Sequence, residues 1–373
     1  MSSPIQYHYG KFPPKNIDWM RLVPLIGPAN AALARYDGTL AAIPNASVLL
    51  SPLTTQEAVL SSRIEGTQAT IGEVLEFEAE GETKDISQAQ KADINEVLNY
   101  REAMWSAVDM LADLPLCQRV LRATHSILLH GVRGHGKAPG EYRKVPNWIG
   151  PPGCTIEEAR FVPISVDQLQ EAMGKWEKYI HEETPDLLVQ LAVLHAELEA
   201  LHPFLDGNGR LGRMFVPLFM HKKGMIHAPM FYISSYFEQH RDEYYSRLLS
   251  ISSDDDWTGW CMFFLQAVIN QAHDNQSKAA CILELYEKKK QQIVDLTHSQ
   301  YAIHALDFIF SRPVFTSTDF LSVNEVPKPT AKRILALLRD SGIVTTVREP
   351  RGSRPAVYAF TELINIAEGR AVL

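Results

Sequence analysis

The chain has 373 residues, so we expect about two or three domains rather than one. Its net charge of −8 argues against nucleic acid or a membrane surface as the main partner of the whole molecule, and 46% hydrophobic residues suffice for an ordinary globular core. No apolar run approaches the roughly 20 residues of a membrane span, the first residues lack an apolar signal core, and the four scattered cysteines show no zinc or disulfide pattern, so we expect a cytoplasmic protein.

Helical spacing of apolar residues dominates most of the chain. A first helix is expected to begin near Pro28 and Asn30. A second is expected to begin at a capping box of Thr54 and Glu57 and to stop at Gly66. Further helices are predicted over 86–111, 115–132, 166–183, 185–204, 211–224, 236–251 and 257–294. The sequence therefore predicts a mainly α fold.

Residues 139–165 interrupt this pattern. The segment is rich in proline, glycine, aromatic and β-branched residues and has no helical period. Such a composition predicts a hairpin or an extended loop inserted between helices.

The last part of the chain, from about Tyr301, changes character. Two short predicted helices, over 315–323 and 328–342, precede a strand–turn–strand pattern over 343–360. This order is typical of a winged helix, with a basic turn formed by Arg348, Arg351 and Arg354. Such a module binds DNA or docks a protein, and we favour docking because the candidate reading helix is largely apolar and the chain is acidic.

The segment HPFLDGNGRLGR, from His202 to Arg213, carries the densest chemistry in the chain. Neither an EF-hand loop nor a P-loop fits, because the positions that need a metal ligand or a lysine hold other residues. Glycines followed by a helix that we expect to begin at Leu211 favour an anion site made of backbone N–H groups. Arg210 and Arg213 add guanidinium groups for phosphate, Asp206 adds an oxygen ligand for Mg²⁺, and His202 adds a base.

This segment resembles the Fic signature, His-Pro-Phe-x-(Asp/Glu)-Gly-Asn-Gly-Arg-x-x-Arg, at every fixed position. The resemblance implies a helical core with a β-hairpin flap, and transfer of AMP from ATP to a Ser, Thr or Tyr hydroxyl of a protein. It also implies that His202 is the general base and that Asp206 holds Mg²⁺. The implied nucleotide-binding residues are Asp206, Gly207, Asn208, Gly209, Arg210, Leu211, Gly212, Arg213 and Tyr244. Glycine at position 209 favours nucleotidyl transfer, because relatives that phosphorylate carry lysine there.

A flap and a tyrosine pair are also interpreted through the same resemblance. Trp148, Ile149 and Gly150 are expected on a flap that aligns the target segment by strand addition. One tyrosine of the pair Tyr244 and Tyr245 is expected against the adenine and the other in the core, and we favour Tyr244 for the adenine.

The segment SSRIEG resembles the inhibitory motif of the same family, (Ser/Thr)-x-x-x-Glu-(Gly/Asn). Glu65 would pair with Arg213 and displace the γ-phosphate, and Ser61 lies one turn earlier on the same helix face. A carboxylate at the negative end of a helix dipole also suggests a cationic partner.

The sequence therefore predicts a Fic-type helical core with a β-hairpin flap and a small C-terminal winged-helix domain. The expected segments are 1–104 with the inhibitory helix, the catalytic core 105–275, a linker helix 276–300 and the winged helix 301–373. The expected partners are ATP, a protein hydroxyl (including the chain's own) and, given the apolar N-terminal helices, a second copy. The alternative is a DNA-binding regulator whose helical part only senses nucleotide, but a sensor has no use for a base at His202.

Overall fold

The computed structural model describes residues 3–43, 45–80, 86–132, 136–151, 153–323, 326–352 and 354–371. Its helices are α1 Trp19–Ala42, α2 Ala46–Leu49, α3 Ser51–Ile64, α4 Ile71–Glu80, α5 Gln88–Asp113, α6 Gln118–Leu128, α7 Val166–Ile180, α8 Leu187–Leu201, α9 Asn208–Lys222, α10 Ser234–Gln239, α11 Arg241–Asp254, α12 Trp257–Thr297, α13 Ala302–Ser311, α14 Ser317–Leu321, α15 Lys328–Asp340 and α16 Thr361–Glu368. The strands are β1 Ile5–Gln6, β2 Phe161–Val162, β3 Val314–Thr316, β4 Thr345–Arg348 and β5 Val357–Ala359. The mainly helical class predicted from the sequence is confirmed.

The chain divides into two compact units. The first comprises Met1–Asp37, Leu60–Gly66 and Asn99–His273, and the second comprises Gly38–Val59, Thr67–Leu98 and Asp274–Leu373. The short segment that carries Ser61 and Glu65 therefore belongs to the same unit as the His202–Arg213 segment. Among the residues described, no helix is both long and apolar enough to cross a bilayer.

Helix α8 lies at the centre of the first unit. It is apolar on nearly all sides, which is typical of a helix surrounded by other helices. The indole N–H of Trp176, on α7, donates to the carbonyl of Leu194 at 2.8 Å. The indole N–H of Trp260, on α12, donates to the carbonyl of Ala192 at 2.7 Å. These bonds fix the helix whose last turn leads into His202.

Two helix starts predicted for the N-terminal part of the chain were wrong. Helix α1 begins at Trp19 and includes Pro24 and Pro28, because packing of its buried residues outweighs the cost of a proline inside a helix, about 3 kcal/mol. Helix α3 begins at Ser51, so the Thr54–Glu57 pair lies inside a helix instead of starting one. Helix α12 runs unbroken from Trp257 to Thr297, which confirms the helix predicted over 257–294. The expected linker helix 276–300 largely coincides with the second half of α12, and the predicted domain bounds stay a prediction.

The segment 139–165 forms only a short hairpin. Ile149 and Phe161 make a single antiparallel bridge, and β2 pairs in parallel with β1 at the N-terminus. Proline residues at positions 146, 151 and 163 have no N–H to donate, which limits a longer ladder.

The C-terminal part of the second unit contains a three-stranded antiparallel sheet in the order β3–β5–β4. Helices α13, α14 and α15 precede β4, with α14 against α15 and α13 against α15. This order of elements is the one expected of a winged helix, and the assignment itself stays a prediction, as does the choice between DNA and protein. Of the three basic residues predicted at the turn, Arg348 forms an ion pair with Glu80 of α4, while Arg351 and Arg354 are exposed.

Candidate active site

His202 occupies the C-cap of α8 in the left-handed backbone conformation, with φ 46° and ψ 59°. Its backbone N–H donates to the carbonyl of Leu198 at 3.1 Å, which closes the helix. A left-handed conformation is costly for a residue with a side chain and persists only where the surroundings hold it. The backbone at His202 therefore needs support from its neighbours.

Arg143 supplies most of that support. Its buried guanidinium donates through Nε to the carbonyl of His202 at 3.0 Å and through Nη2 to the carbonyls of Leu201 and Ile164. The Nδ2 group of Asn147 also donates to the carbonyl of His202, at 3.3 Å. Neither residue is predicted from the sequence, because both lie in the aperiodic segment, where no spacing indicates which side chains turn inward.

The imidazole of His202 is half-buried and its protonation state follows from its surroundings. Nδ1 lies 3.3 Å from the carbonyl of Glu199. A carbonyl only accepts, so Nδ1 carries the proton and Nε2 presents a lone pair. Burial lowers the pKa of His202 to about 4, against a smaller raising effect of the bond to Glu199. His202 is therefore neutral at physiological pH and able to accept a proton.

The turn between α8 and α9 is held by side chains inside the segment itself. Asn208 accepts from the N–H of Phe204 and donates to its carbonyl, each at 2.9 Å. His125 stacks on the ring of Phe204 at 3.7 Å and donates through Nε2 to the carbonyl of Asp206 at 2.8 Å. Its Nδ1 accepts from the N–H of Gly140 at 2.9 Å. His125 therefore helps to shape the turn.

Helix α9 begins at Asn208, not at Leu211 as the sequence analysis predicted. Gly207 caps the helix in the left-handed conformation, and its N–H donates to the carboxylate of Asp206 at 2.6 Å. The first bond of the helix runs from the N–H of Leu211 to the carbonyl of Gly207 at 3.1 Å. The N–H groups of Asn208 and Gly209 precede that bond and have no acceptor within the helix. These free N–H groups form the positive end of the helix dipole, which favours a bound anion.

Leu211 and Gly212 lie on the core side of α9, and their role in nucleotide binding stays a prediction. The side chain of Leu211 is buried and its N–H is used within the helix. The carbonyl of Gly212 lies 3.0 Å from Nδ1 of His195. The guanidinium of Arg210 is also buried and lies 3.7 Å from the carboxylate of Asp206.

Arg213 is almost fully buried and is held by the helix end predicted to be inhibitory. Its Nε donates to Oγ of Ser61 at 2.9 Å, and its Nη2 donates to the backbone carbonyl of Ser61 at 2.8 Å. The same Nη2 donates to Oε1 of Glu65 at 2.7 Å. The structure thus brings Ser61, Glu65 and Arg213 together, although 148 residues separate Glu65 from Arg213.

The charge of Glu65 depends on this contact. Burial disfavours ionisation of its carboxyl group, but the guanidinium of Arg213 outweighs burial and holds the pKa of Glu65 below its ordinary value. The pKa of Arg213 is raised by Glu65 against burial. The pair is therefore ionised at physiological pH. Gly209 allows the close approach, since a Cβ there would lie 2.1 Å from Oε1 of Glu65.

A cavity of about 910 Å³ joins these groups. Its walls include Glu65, His202, Gly209 and Arg213 from the segments described above. The short hairpin contributes Trp148, Ile149 and Gly150. The three residues predicted on a flap therefore face the same space as the predicted base.

Comparison with known proteins places this geometry in a family. Residues 23–109 match the model of the Fic/DOC family N-terminal region, and residues 115–220 match that of the Fic/DOC family. Together these matches cover slightly more than half of the chain. The chain belongs to the Fic/DOC family.

One curated relative of this Fic/DOC chain is the protein adenylyltransferase fic-1 of Caenorhabditis elegans. The two are 34% identical over 68 residues, and the match spans 17% of this chain and only 13% of the relative. Among solved structures, a Fic family protein from Desulfovibrio desulfuricans aligns with a TM-score of 0.60 and 19% identity, over 94% of this chain and 98% of that one. A Fic domain containing signaling protein from Bacteroides thetaiotaomicron aligns with a TM-score of 0.55 and 18% identity, over 69% and 97%. These likenesses show a shared fold.

The tyrosine pair of this Fic/DOC protein is placed opposite to the prediction. Tyr244 is buried, its hydroxyl lies 2.9 Å from Nε2 of His195, and its ring stacks on Phe237 at 4.4 Å. Tyr245 lines the cavity, with the guanidinium of Arg241 5.9 Å above its ring. Spacing alone cannot separate two adjacent residues near the edge of an apolar helix face, and Tyr244 is the one turned into the core.

Glu199 is a further cavity residue that the sequence analysis missed. It lies on α8 three residues before His202, and its carboxyl group lines the cavity. Burial raises the pKa of Glu199 to about 7, while Arg213 opposes the rise. A carboxyl group of this kind is partly protonated near neutral pH, which leaves Glu65 as the main counter-charge of Arg213.

Proposed function

We propose that this chain is a protein adenylyltransferase that transfers AMP from ATP to a Ser, Thr or Tyr hydroxyl of a protein, including its own. The observation that carries the proposal is the meeting of three groups in one cavity. These are the neutral imidazole of His202, Gly209 in the first turn of α9 and the guanidinium of Arg213. A base beside an anion site is what transfer from a nucleotide to a hydroxyl requires.

In the proposed reaction, Nε2 of His202 takes the proton of the acceptor hydroxyl. The hydroxyl oxygen then forms a bond to the α-phosphorus, and the bond between the α-phosphorus and the bridging oxygen to the β-phosphate breaks, so pyrophosphate leaves. Negative charge grows on the leaving phosphates during this step. The N–H groups of Asn208 and Gly209 are fixed before the reaction and would stabilise that charge, with Arg213 on the γ-phosphate.

Asp206 fits the proposed role of magnesium ligand. Its carboxylate is 37% exposed just before α9, where it accepts from the N–H of Gly207. Among the described residues no cluster of three or more His, Cys, Asp or Glu side chains is arranged for a metal, so a single carboxylate with nucleotide oxygens is the arrangement that these residues support. When bound with ATP, Mg²⁺ would neutralise phosphate charge.

The hairpin would hold the acceptor segment. The N–H of Ile149 donates to the carbonyl of Phe161 at 2.9 Å, and its carbonyl accepts from the N–H groups of Arg160 at 2.8 Å and Phe161 at 3.1 Å. Because successive residues of an extended segment face opposite edges, the backbone groups of Trp148 and Gly150 face away from β2. An acceptor polypeptide would add there as a strand, beside His202.

Glu65 would keep the enzyme in a low-activity state. The guanidinium of Arg213 is engaged by Ser61 and Glu65, so a γ-phosphate has to displace the Glu65 carboxylate before it can bind there. We also propose that Tyr245, rather than Tyr244, lies against the adenine, because its ring faces the cavity.

The proposal is tested by supplying ATP that carries a label on one phosphate. The chain incubated with Mg²⁺ and ATP labelled at the α-phosphate is expected to become labelled, whereas ATP labelled at the γ-phosphate is expected to leave it unlabelled. Protein labelling from the γ-phosphate would indicate phosphorylation and contradict the proposal. Labelling from neither position, also after Glu65→Gly, would contradict transfer to the protein altogether.

A further inference from the structure

The N-terminal strand β1 is a structural part of the hairpin. It pairs in parallel with β2, with Ile5 opposite Phe161 and Gln6 opposite Val162. The N–H of Ile5 donates to the carbonyl of Arg160 at 3.2 Å, and the N–H of Tyr7 donates to the carbonyl of Val162 at 3.0 Å. Since Ile149 occupies the other edge of β2, both edges of this strand are paired.

Two residues that follow β1 are anchored in the core. The hydroxyl of Tyr7 donates to Oε1 of Glu197 at 2.5 Å. Nε2 of His8 lies 2.8 Å from Oε2 of the same carboxylate, and Nδ1 of His8 lies 2.8 Å from Oγ of Ser252. The side chains of His8 and Glu197 are both fully buried. A carboxylate buried to this degree needs its donors, and here the donors come from the N-terminal segment.

The position of Glu197 gives the anchor a direct relation to the catalytic base. Glu197 lies on α8, five residues before His202, so the carboxylate that holds the N-terminal strand belongs to the helix that presents the imidazole. The strand in turn holds β2, and β2 holds Ile149 between the cavity-lining residues Trp148 and Gly150. An unbroken chain of contacts therefore joins the base to the edge on which an acceptor would lie.

A second cavity is lined partly by the N-terminal segment and partly by residues of the first cavity. It has a volume of about 740 Å³, and Ser3 and Ile5 are among its walls. Pro151, Arg160 and Leu249 line both this cavity and the one that contains His202. The N-terminal segment therefore lines a cavity that adjoins the one containing His202.

We propose that His8 and Glu197 are positioning residues for the acceptor, acting through β1 to hold the hairpin at a fixed distance from His202. This inference rests on the proposed function, because it assigns them to the acceptor half of that reaction. Neither residue lines the cavity that would hold the nucleotide. Disruption of the anchor therefore lowers the rate of transfer to a protein hydroxyl and leaves the KM for ATP unchanged. A misplacement of about 1 Å in such a site costs on the order of 100-fold in rate.

The test uses the full chain carrying Glu65→Gly as the parent. His8→Ala removes the donor to Glu197, and Ile5→Pro removes the N–H that pairs with Arg160. His8→Gln keeps an N–H donor and is the conservative variant. Lys11→Ala is the matched control, because it removes a surface ion pair to Asp255 at 3.7 Å from the same segment. The measurements are the turnover number and KM for ATP in self-modification, and amide hydrogen exchange at positions 149, 161 and 162.

His8→Ala and Ile5→Pro are expected to lower the turnover number at least about tenfold, with KM for ATP unchanged. Exchange at positions 149, 161 and 162 is expected to accelerate, His8→Gln to recover part of the rate, and Lys11→Ala to match the parent. Unchanged turnover or unchanged exchange in His8→Ala would overturn the inference, and so would a change in KM for ATP as large as that in turnover. If the parent itself attaches no AMP, the proposed function fails, and that failure is distinct from an active parent that tolerates His8→Ala.

Discussion

The Glu65→Gly variant is expected to attach AMP to itself about 100-fold faster than the wild-type chain. In the wild type, the γ-phosphate has to displace a carboxylate that lies 2.7 Å from the buried guanidinium of Arg213. Removing one partner of a buried ion pair costs about 3–5 kcal/mol, and the lower end sets the scale here because the Glu65 side chain is 35% exposed and the phosphate replaces it on Arg213. At about 1.4 kcal/mol per factor of ten, 3 kcal/mol corresponds to roughly 100-fold. The rate is measured by intact mass of the protein during incubation with ATP and Mg²⁺.

Two matched variants separate the charge of Glu65 from its shape. Glu65→Gln keeps the size and a hydrogen-bond acceptor but loses the charge, so its rate is expected between those of wild type and Glu65→Gly. Ser61→Ala removes the contact to Nε of Arg213 and keeps the backbone contact, so activation is expected to be severalfold. Equal rates for Glu65→Gly and wild type would show that the contact with Arg213 does not limit the reaction.

His202→Ala, made in the Glu65→Gly background, is expected to lower AMP transfer by about 100- to 10,000-fold, the range that general bases contribute. The side chain has no large role in holding the turn, which depends on Arg143, Asn147 and Asn208. ATP binding is therefore expected to remain, as measured by titration calorimetry. A variant that transfers AMP at the rate of its parent would remove His202 from the mechanism.

The pH dependence of AMP transfer by the Glu65→Gly variant also tests whether His202 is the base. The proposed base acts when unprotonated, and burial lowers the pKa of His202 to about 4, so the active form persists well below the ordinary pKa of histidine. Glu65 raises the pKa of His202, so its removal shifts the acid limb further down. As far as His202 sets the pH dependence, the rate is thus expected to stay level from about pH 8 to pH 5.5. A half-maximal rate near pH 6.5 would mean that the titrating base is a solvated imidazole.

The parts of the site that the sequence predicts correctly are those with a local signal. The turn between α8 and α9 is predictable because the glycines and polar side chains that form it are adjacent in the sequence. The contact of Ser61 and Glu65 with Arg213 was found through a second short motif. That contact spans 148 residues, and no spacing rule reaches so far, so it depended on the resemblance to a family.

The residues that escaped prediction act through tertiary contacts. Arg143 supports His202 from an aperiodic segment, and His8 reaches Glu197 across 189 residues. The residues next to Arg143 and His8 in the sequence give no indication that either side chain is buried. The choice between Tyr244 and Tyr245 failed for a related reason, since the rotation of α11 about its axis is set by its packing against neighbouring helices. The sequence places the start of α9 three residues too late, at Leu211, because glycine has a low helix propensity. In the structure, the cap at Gly207 and the bond of the Asn208 side chain to Phe204 allow the helix to begin at Asn208.

In the proposed mechanism, the start of α9 holds a triphosphate beside His202. This placement is tested most directly by a crystal structure of the Glu65→Gly variant with Mg²⁺ and a non-hydrolysable ATP analogue. The phosphates are expected within hydrogen-bond distance of the N–H groups of Asn208 and Gly209, with the γ-phosphate at Arg213 and the α-phosphorus facing Nε2 of His202. Phosphates bound elsewhere, with His202 remote from the α-phosphorus, would contradict the claim.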